Sequence, residues 1–409
     1  MHPSKEIVGT VGDMLKGKNI ALCVTGSVAA FLSPAIAREL MRYGAEVNVF
    51  MTPSAATLIS PTLMQWATGN PVIKEMTAEL EHIRHARECD LVLVAPATAN
   101  TMAKIAVGIA DNAVTALVLT AIGYQKKVVA VPAMHEPMWA AEQTRRNMDV
   151  LKRLGVRIVE PNVVEEKAKL ADISYITDHV IRLLHPKQLP EGVRILVAAG
   201  ATMEYIDPIR VVTNQSSGRM GLEIALEAFR RGAGVSLILG HASVSPPSYI
   251  PTVRVKDSES LKQAIRSQLA GKQPHIYFST IAVADYKPTR KRETKADTSL
   301  VSRLQLDLEA VGKILPMVKE LSPSTVVVAF KAEYRVDEKQ LVEKAKRLLD
   351  HADMVYASDV ARPEASFGSE TTSGVLVDRD GRIITISNKR KNEVAAMLVD
   401  LAASRIVGG

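Results

Sequence analysis

Nine short apolar runs separated by helix-length segments set the strongest limit on how this chain folds. Four lie in the first half: IALCV (20–24), VNVFM (47–51), LVLVA (91–95) and VVAVP (128–132). They are continuous rather than alternating, as expected of strands buried on both faces of a parallel sheet. Segments 34–43, 101–107 and 141–154 supply the helices between and after them, so the spacing predicts an open, doubly wound α/β domain. The polar stretch HPKQLPEG (185–192), with two prolines and a glycine, reads as a linker. The pattern then restarts with VRILVAA (193–199), VSLIL (235–239), IYFS (276–279), VVVAF (326–330) and MVYA (354–357), predicting a second such domain. VLVD (375–378) and IITI (383–386) flank the turn RDGR, and a closing helix is expected near 390–403. Domains at 1–187 and 188–409 follow.

Composition narrows the partners. The formal charge is +7, from 51 basic and 44 acidic residues, yet aromatics are only 4% and no basic-aromatic motif for base stacking occurs. Small phosphorylated molecules fit that balance better than nucleic acid. No apolar run reaches the roughly 18 residues that span a bilayer, and the first 19 residues lack the apolar centre of a signal peptide, so a cytoplasmic location away from membranes is expected. Cys23 and Cys89 are the only cysteines, too few for a disulfide framework or a four-thiolate metal site, and packing is the expected role of both.

Ligands of doubly wound sheets bind at the carboxyl ends of strands, where loops meet helix N-termini. Three small, hydroxyl-rich loops stand there: TGSVAA (25–30), TPSA (52–55) and PATANT (96–101). Each alone is an ordinary turn and helix cap; together they line one crevice. A fourth strand end carries PAMHEPMW (132–139), where Met134, Met138 and Trp139 are expected to anchor a loop that presents His135.

With LEHIRHA (80–86), these stretches make residues 18–150 resemble the flavin-dependent cysteine decarboxylases. The resemblance implies a flavodoxin-like domain that binds FMN and removes carbon dioxide from a cysteine carboxylate: the flavin oxidises the thiol to a thioaldehyde, which takes the electrons left behind as an enethiolate, and the reduced flavin then reduces that enethiolate. It implies His82 as the catalytic histidine, with His85 a surface residue. It further implies Asn100 at the flavin and substrate site, and Gly26, Ser27, Thr52 and Thr98 at the flavin. The family usually has asparagine where this chain has His135, a position that holds the substrate carboxylate, and histidine can also donate there. The family's flap cysteine has no counterpart in PNVVEEKAKLADI (161–173). Lys167, Lys169, an acidic neighbour or water then supplies the proton, or the second half-reaction is impaired.

AAGATMEYIDPIRVVTNQSSGRMG (198–221) is the most specific stretch in the chain, and from it residues 190–403 resemble the phosphopantothenate–cysteine ligase domain. Gly200, Ser216, Ser217 and Gly218 offer N–H donors to phosphate oxygens. The resemblance implies that 4'-phosphopantothenate attacks CTP to give an acyl-cytidylate, from which cysteine displaces CMP, with Asn214 stabilising charge on the intermediate. It places Asp285 and Lys295 at the nucleotide, Phe330 against the cytosine and Lys346 at the triphosphate. The run KPTRKRETK around Lys295 is also what a solvated basic loop looks like. Asp350 stands where the family has a second lysine, and Ser358 where it has asparagine. Mg²⁺ is expected with the triphosphate, though no dedicated metal cage is visible.

The two halves together imply a bifunctional enzyme, because the product of the second domain is the substrate of the first. They also imply a homo-oligomer built from trimers of the first domain and dimers of the second, up to a dodecamer. Two alternatives stay open: an active ligase joined to a flavin-binding but decarboxylase-impaired domain, and a nonenzymatic flavoprotein regulatory subunit.

Overall fold

The computed structural model describes residues 2–164, 167–271, 273–295 and 303–407. Two compact units, Met1–Lys187 and Gln188–Gly409, make up the chain.

In the first unit, β1 (Asn19–Val24), β2 (Glu46–Met51), β3 (Val72–Ile73), β4 (Leu91–Ala97) and β5 (Lys127–Pro132) precede the short β6 (Met134–His135) and β7 (Val156–Ile158). A sheet of order β3-β2-β1-β4-β5-β7 results, parallel throughout. Without the two-residue edge strand β3, the order is that of flavodoxin-like sheets. The apolar runs are continuous because alternate residues serve two cores. Ile20, Leu22 and Val24 pack with the helices Ser33–Arg42 and Ile173–Leu184. Ala21 and Cys23 pack on the other face with Ala99–Val107 and Ala113–Gly123. Cys23 and Cys89 are both buried and unbridged, and burial, then the nearby Cys89, pushes the Cys23 thiol up.

Beyond β7, β8 (Asn162–Val164) and β9 (Lys167–Lys169) pair antiparallel, and β9 pairs in turn with β6. β9 is thereby fastened to PAMHEPMW, with Lys167 opposite His135 in register.

The second unit contains β10 (Arg194–Ala199), β11 (Met203–Tyr205), β12 (Val211–Thr213), β13 (Gly234–Leu239), β14 (Thr252–Arg254), β15 (Ile276–Ser279), β16 (Tyr286–Pro288), β17 (Leu308–Ala310), β18 (Val326–Glu333), β19 (Met354–Asp359), β20 (Thr371–Asp378) and β21 (Ile383–Arg390). Its main sheet runs β14-β13-β10-β15-β18-β19-β20-β21. The first six strands are parallel in the Rossmann order, and the last two add antiparallel. β11–β12 and β16–β17 form small separate antiparallel pairs. The closing helix, Lys391–Val407, packs Val394, Leu398 and Val399 into the core formed with Val197 and Leu237. The polar linker is more tied down than its composition suggests. His185 and Leu189 are buried, and the Leu189 N–H donates to the Arg231 carbonyl at 2.8 Å. Among the described residues no helix is long and apolar enough to cross a membrane.

Candidate functional site

In the first unit the strand order reverses between β1 and β4, the place where doubly wound sheets take ligands at the carboxyl ends of their strands. Thr25, fully buried, holds the two loops together: its hydroxyl donates to the Pro96 carbonyl at 2.7 Å and accepts from the Thr98 N–H at 3.1 Å. Gly26 is required by close approach, since a Cβ there would lie 2.3 Å from Ser54 Oγ. The loops after β1 and β2 therefore touch. Ser27, Thr52 and Thr98 each cap the helix that follows, accepting from the N–H groups of Ala29, Ala55 and Thr101. Ser27 also donates to the Ala133 carbonyl at 3.4 Å, at the end of β5. Asn100 is exposed on the first turn of Ala99–Val107.

His82 sits on the first turn of the helix Glu81–Glu88, and its Nδ1 is buried with no hydrogen-bond partner among the described residues. A buried polar atom without a partner is costly, so a group missing from the free protein is the natural acceptor or donor. Glu81 fixes the helix start by accepting from the Thr77 N–H at 3.0 Å and its hydroxyl at 2.6 Å. Those two bonds hold the Glu81 carboxyl down at about 2. His85 is not the surface residue expected: its ring packs edge-on against Phe50, centroids 5.3 Å apart, and burial lowers its basicity. The PAMHEPMW anchors also need correcting, because Met138 is 50% exposed and only Met134 packs partly against the core. His135 is exposed at the start of the short helix Glu136–Ala140 and makes no capping bond.

These residues fit a flavin mononucleotide. Hydroxyl-capped helix starts and a glycine without room for a side chain stand in loops at or near one switch point, and the helix Glu81–Glu88 adds an orphaned imidazole nitrogen on His82.

In the second unit a cavity of about 650 Å³ lies at the ends of β10, β15, β18 and β19. It brings together Asn214, Ser216, Ser217, Gly218, Asp285 and Phe330, whereas Gly200, Lys295 and Lys346 lie outside its lining. Gly200 and Gly218 have φ of +86° and +75°, and a Cβ on Gly200 would lie 2.6 Å from the His241 carbonyl. Both positions need glycine for turn geometry. The Ser216 and Ser217 hydroxyls accept from the N–H groups of Gly218 and Arg219, each at a long 3.4 Å, so these donors are only loosely engaged. Phe330 meets Tyr356 edge-on, centroids 5.5 Å apart. Asp285 pairs with Lys313 at 2.8 Å. Lys295 and Lys346 are exposed.

Sequence reasoning missed much of this lining, including Arg219, Lys331, Glu333, Tyr334, Ser366, Phe367 and Lys391. Glu333 lies between Lys344 at 2.6 Å and Lys331 at 3.4 Å; burial would raise its carboxyl, but the two ammonium groups together hold it below the usual range. Asp359, two residues past the buried end of β19's apolar run, accepts from the Arg335 and Ala361 N–H groups and so shapes the rim. Among the described residues no group of three carboxylate, histidine or cysteine side chains is placed to hold a metal.

Two doubly wound units, one with a flavin-fitting switch point and one with a glycine- and serine-lined pocket, define a two-domain α/β flavoprotein class. Residues 9–185 match the Flavoprotein family model, and residues 190–406 match the DNA/pantothenate metabolism flavoprotein C-terminal domain. The coenzyme A biosynthesis bifunctional protein CoaBC of Thermococcus kodakarensis is 44% identical over 387 residues, covering 93% of this chain and 94% of that one. That of Methanocaldococcus jannaschii is 37% identical over 366 residues, 88% of each chain. A solved C-terminal domain of a coenzyme A biosynthesis bifunctional protein CoaBC covers 54% of this chain and 98% of its own length, at 28% identity and a TM-score of 0.44. The chain belongs to the family of coenzyme A biosynthesis bifunctional proteins CoaBC.

Proposed function

We propose that the second unit joins cysteine to 4'-phosphopantothenate at the expense of CTP, and that the first unit then decarboxylates the product with FMN to 4'-phosphopantetheine. The cavity at the Rossmann switch point of the second unit carries this reading. It combines an aromatic wall, Phe330 and Tyr356, with a Ser216–Arg219 loop suited to phosphate oxygens. In the first step the substrate carboxylate attacks the α-phosphorus of CTP, and pyrophosphate leaves. The cysteine amine then attacks the activated carbonyl, and CMP leaves. Asn214 is the donor to the oxygen that gains charge in that second attack. Asp285 positions the nucleotide, and the exposed Lys295 and Lys346 neutralise triphosphate charge. Mg²⁺ arrives with the triphosphate, whose charge it offsets.

In the first unit Gly26, Ser27, Thr52, Thr98 and Asn100 would hold FMN, which when bound supplies the electron sink for loss of carbon dioxide. His82 moves the proton, and its unpartnered Nδ1 supports that role. His135 holds the leaving carboxylate. Val28 and Phe31, 80% and 63% exposed beside the flavin loop, support a further copy of the chain covering this face, in keeping with a homo-oligomer.

Product analysis of the full chain with 4'-phosphopantothenate, CTP, Mg²⁺, cysteine and FMN tests the reading. 4'-Phosphopantetheine is the expected product. A stop at phosphopantothenoylcysteine would leave the ligase and remove the decarboxylase; no amide at all would remove the ligase, and phosphopantothenoylcysteine supplied directly would then test the decarboxylase.

A further inference from the structure

Lys391 has no part in the roles assigned above, yet it is among the most unusual side chains of the second unit. It opens the last helix and lines the cavity, only 8% exposed. Its ammonium makes neither a hydrogen bond nor an ion pair among the described residues. Lysines are rarely this buried without a hydrogen bond or ion pair, because the charge gives up hydration that only an opposing charge replaces. The backbone places it beside a second cation. The Lys391 N–H donates to the Glu370 carbonyl oxygen at 3.0 Å, and the Glu370 carboxylate lies 3.3 Å from Arg219 Nη2. That carboxylate is 81% exposed, and the other carboxylate near Arg219, on Glu223, is 3.9 Å away. Neither neutralises Arg219 tightly. Burial first, and then the Arg219 charge, holds the Lys391 ammonium below its usual range, with Glu223 opposing.

Two loosely compensated cations thus stand in one cavity with the Ser216–Ser217–Gly218 turn, whose N–H groups open the helix Arg219–Arg230. Charge, backbone donors and a helix start that all favour the same sign of ligand select a multiply charged oxyanion. We propose that Lys391 and Arg219, with the Ser216–Gly218 turn, form a phosphoryl-binding subsite in which Lys391 is the buried counter-charge. This rests on the ligase reading, under which two ligands offer phosphoryl groups: the CTP triphosphate and the 4'-phosphate of phosphopantothenate.

Calorimetric titration of the full chain separates these sources, comparing wild type with Lys391→Met and Lys391→Arg against CTP, 4'-phosphopantothenate, pantothenate and inorganic pyrophosphate. Lys391→Met should weaken one phosphorylated ligand about ten- to a hundredfold, the range of a charge-assisted contact, with Lys391→Arg largely restoring it. Loss confined to CTP assigns the triphosphate, and loss confined to 4'-phosphopantothenate assigns its phosphate. Pantothenate should bind both variants as it binds wild type. Unchanged binding of every phosphorylated ligand would overturn the proposal, as would an equal loss that includes pantothenate, since that marks a structural role. Were wild type to bind neither CTP nor 4'-phosphopantothenate, the ligase reading would fall by itself; Lys391-dependent binding of pyrophosphate would still support the subsite, and Lys391-independent binding would remove it.

Discussion

The Asn214 amide donates to the main-chain carbonyl of Val283 at 2.9 Å, tying the turn after β12 to the loop after β15 across the mouth of the cavity. An amide nitrogen has two protons, and one bond uses only one of them. The second remains for a ligand while the first fixes the direction of the side chain.

Asn214→Ala should therefore release pyrophosphate from CTP and 4'-phosphopantothenate near the wild-type rate, but form amide about a hundredfold more slowly, the usual cost of one oxyanion donor. Separate assays of pyrophosphate and phosphopantothenoylcysteine check this. Parallel loss of both products would assign Asn214 to the activation step instead.

Thr25→Val keeps shape but removes the hydroxyl that joins the loops after β1 and β4. The Pro96 carbonyl and the Thr98 N–H would both lose their bond to it in a buried setting. Stability should fall by about 1–3 kcal/mol, and bound FMN per chain should drop because Thr98 is among the proposed flavin residues. Thermal unfolding and flavin absorbance of the purified variant measure the two effects. A variant as stable as wild type would show that the loops hold each other without this hydroxyl.

The parallel strands were legible because each must satisfy two cores at once, which leaves almost no polar residue in runs such as IALCV and LVLVA. The short strands β6, β8 and β9 left no such mark: at two or three residues they have no periodicity, and β8 and β9 each carry polar positions. Of the site, Asn214, Ser216 and Gly218 stood out through one contiguous motif. Lys391 did not, because within NKRK it has the composition of a solvated helix start, and its burial depends on Glu370 and Arg219, distant in sequence. The Asp285–Lys313 pair was hidden for the same reason, its members lying 28 residues apart.

Acid should loosen the segment carrying His82 late. The Glu81 carboxyl is held at about 2, against an ordinary 4.5, by bonds from Thr77. A carboxylate lowered in the folded state adds stability that is fully present above about pH 4.5 and is lost as pH falls towards 2. Thr77→Val removes the hydroxyl donor and returns the Glu81 carboxyl towards its ordinary range, so part of that stability should already be missing above about pH 4.5 and the further loss on acidification should be smaller than in wild type. Amide hydrogen exchange of residues 81–88 between pH 5 and 3 reads it directly. Identical profiles for variant and wild type would show that Thr77 does not set the Glu81 titration.

His135 faces β9, with Lys167 opposite it in register, and makes no capping bond to the helix it opens. A histidine that merely capped this helix would show such a bond; the exposed imidazole instead stays open for the proposed contact with the substrate carboxylate. Removing it in His135→Ala should slow carbon dioxide release from phosphopantothenoylcysteine by about ten- to over a hundredfold in kcat/KM, for a charge-assisted contact of roughly 1.5–3 kcal/mol realised in the transition state. His135→Asn keeps a side-chain donor near the same place and should retain most of the activity. Both variants should bind FMN and ligate cysteine like wild type, because neither proposed site depends on this ring. Lys167→Met tests the neighbouring position: if Lys167 supplies the proton in place of a flap cysteine, carbon dioxide should still be released while the reduced product fails to accumulate. Carbon dioxide release by His135→Ala as fast as by wild type would end the carboxylate assignment, and full product yield from Lys167→Met would return the proton to water or to another side chain of the flap.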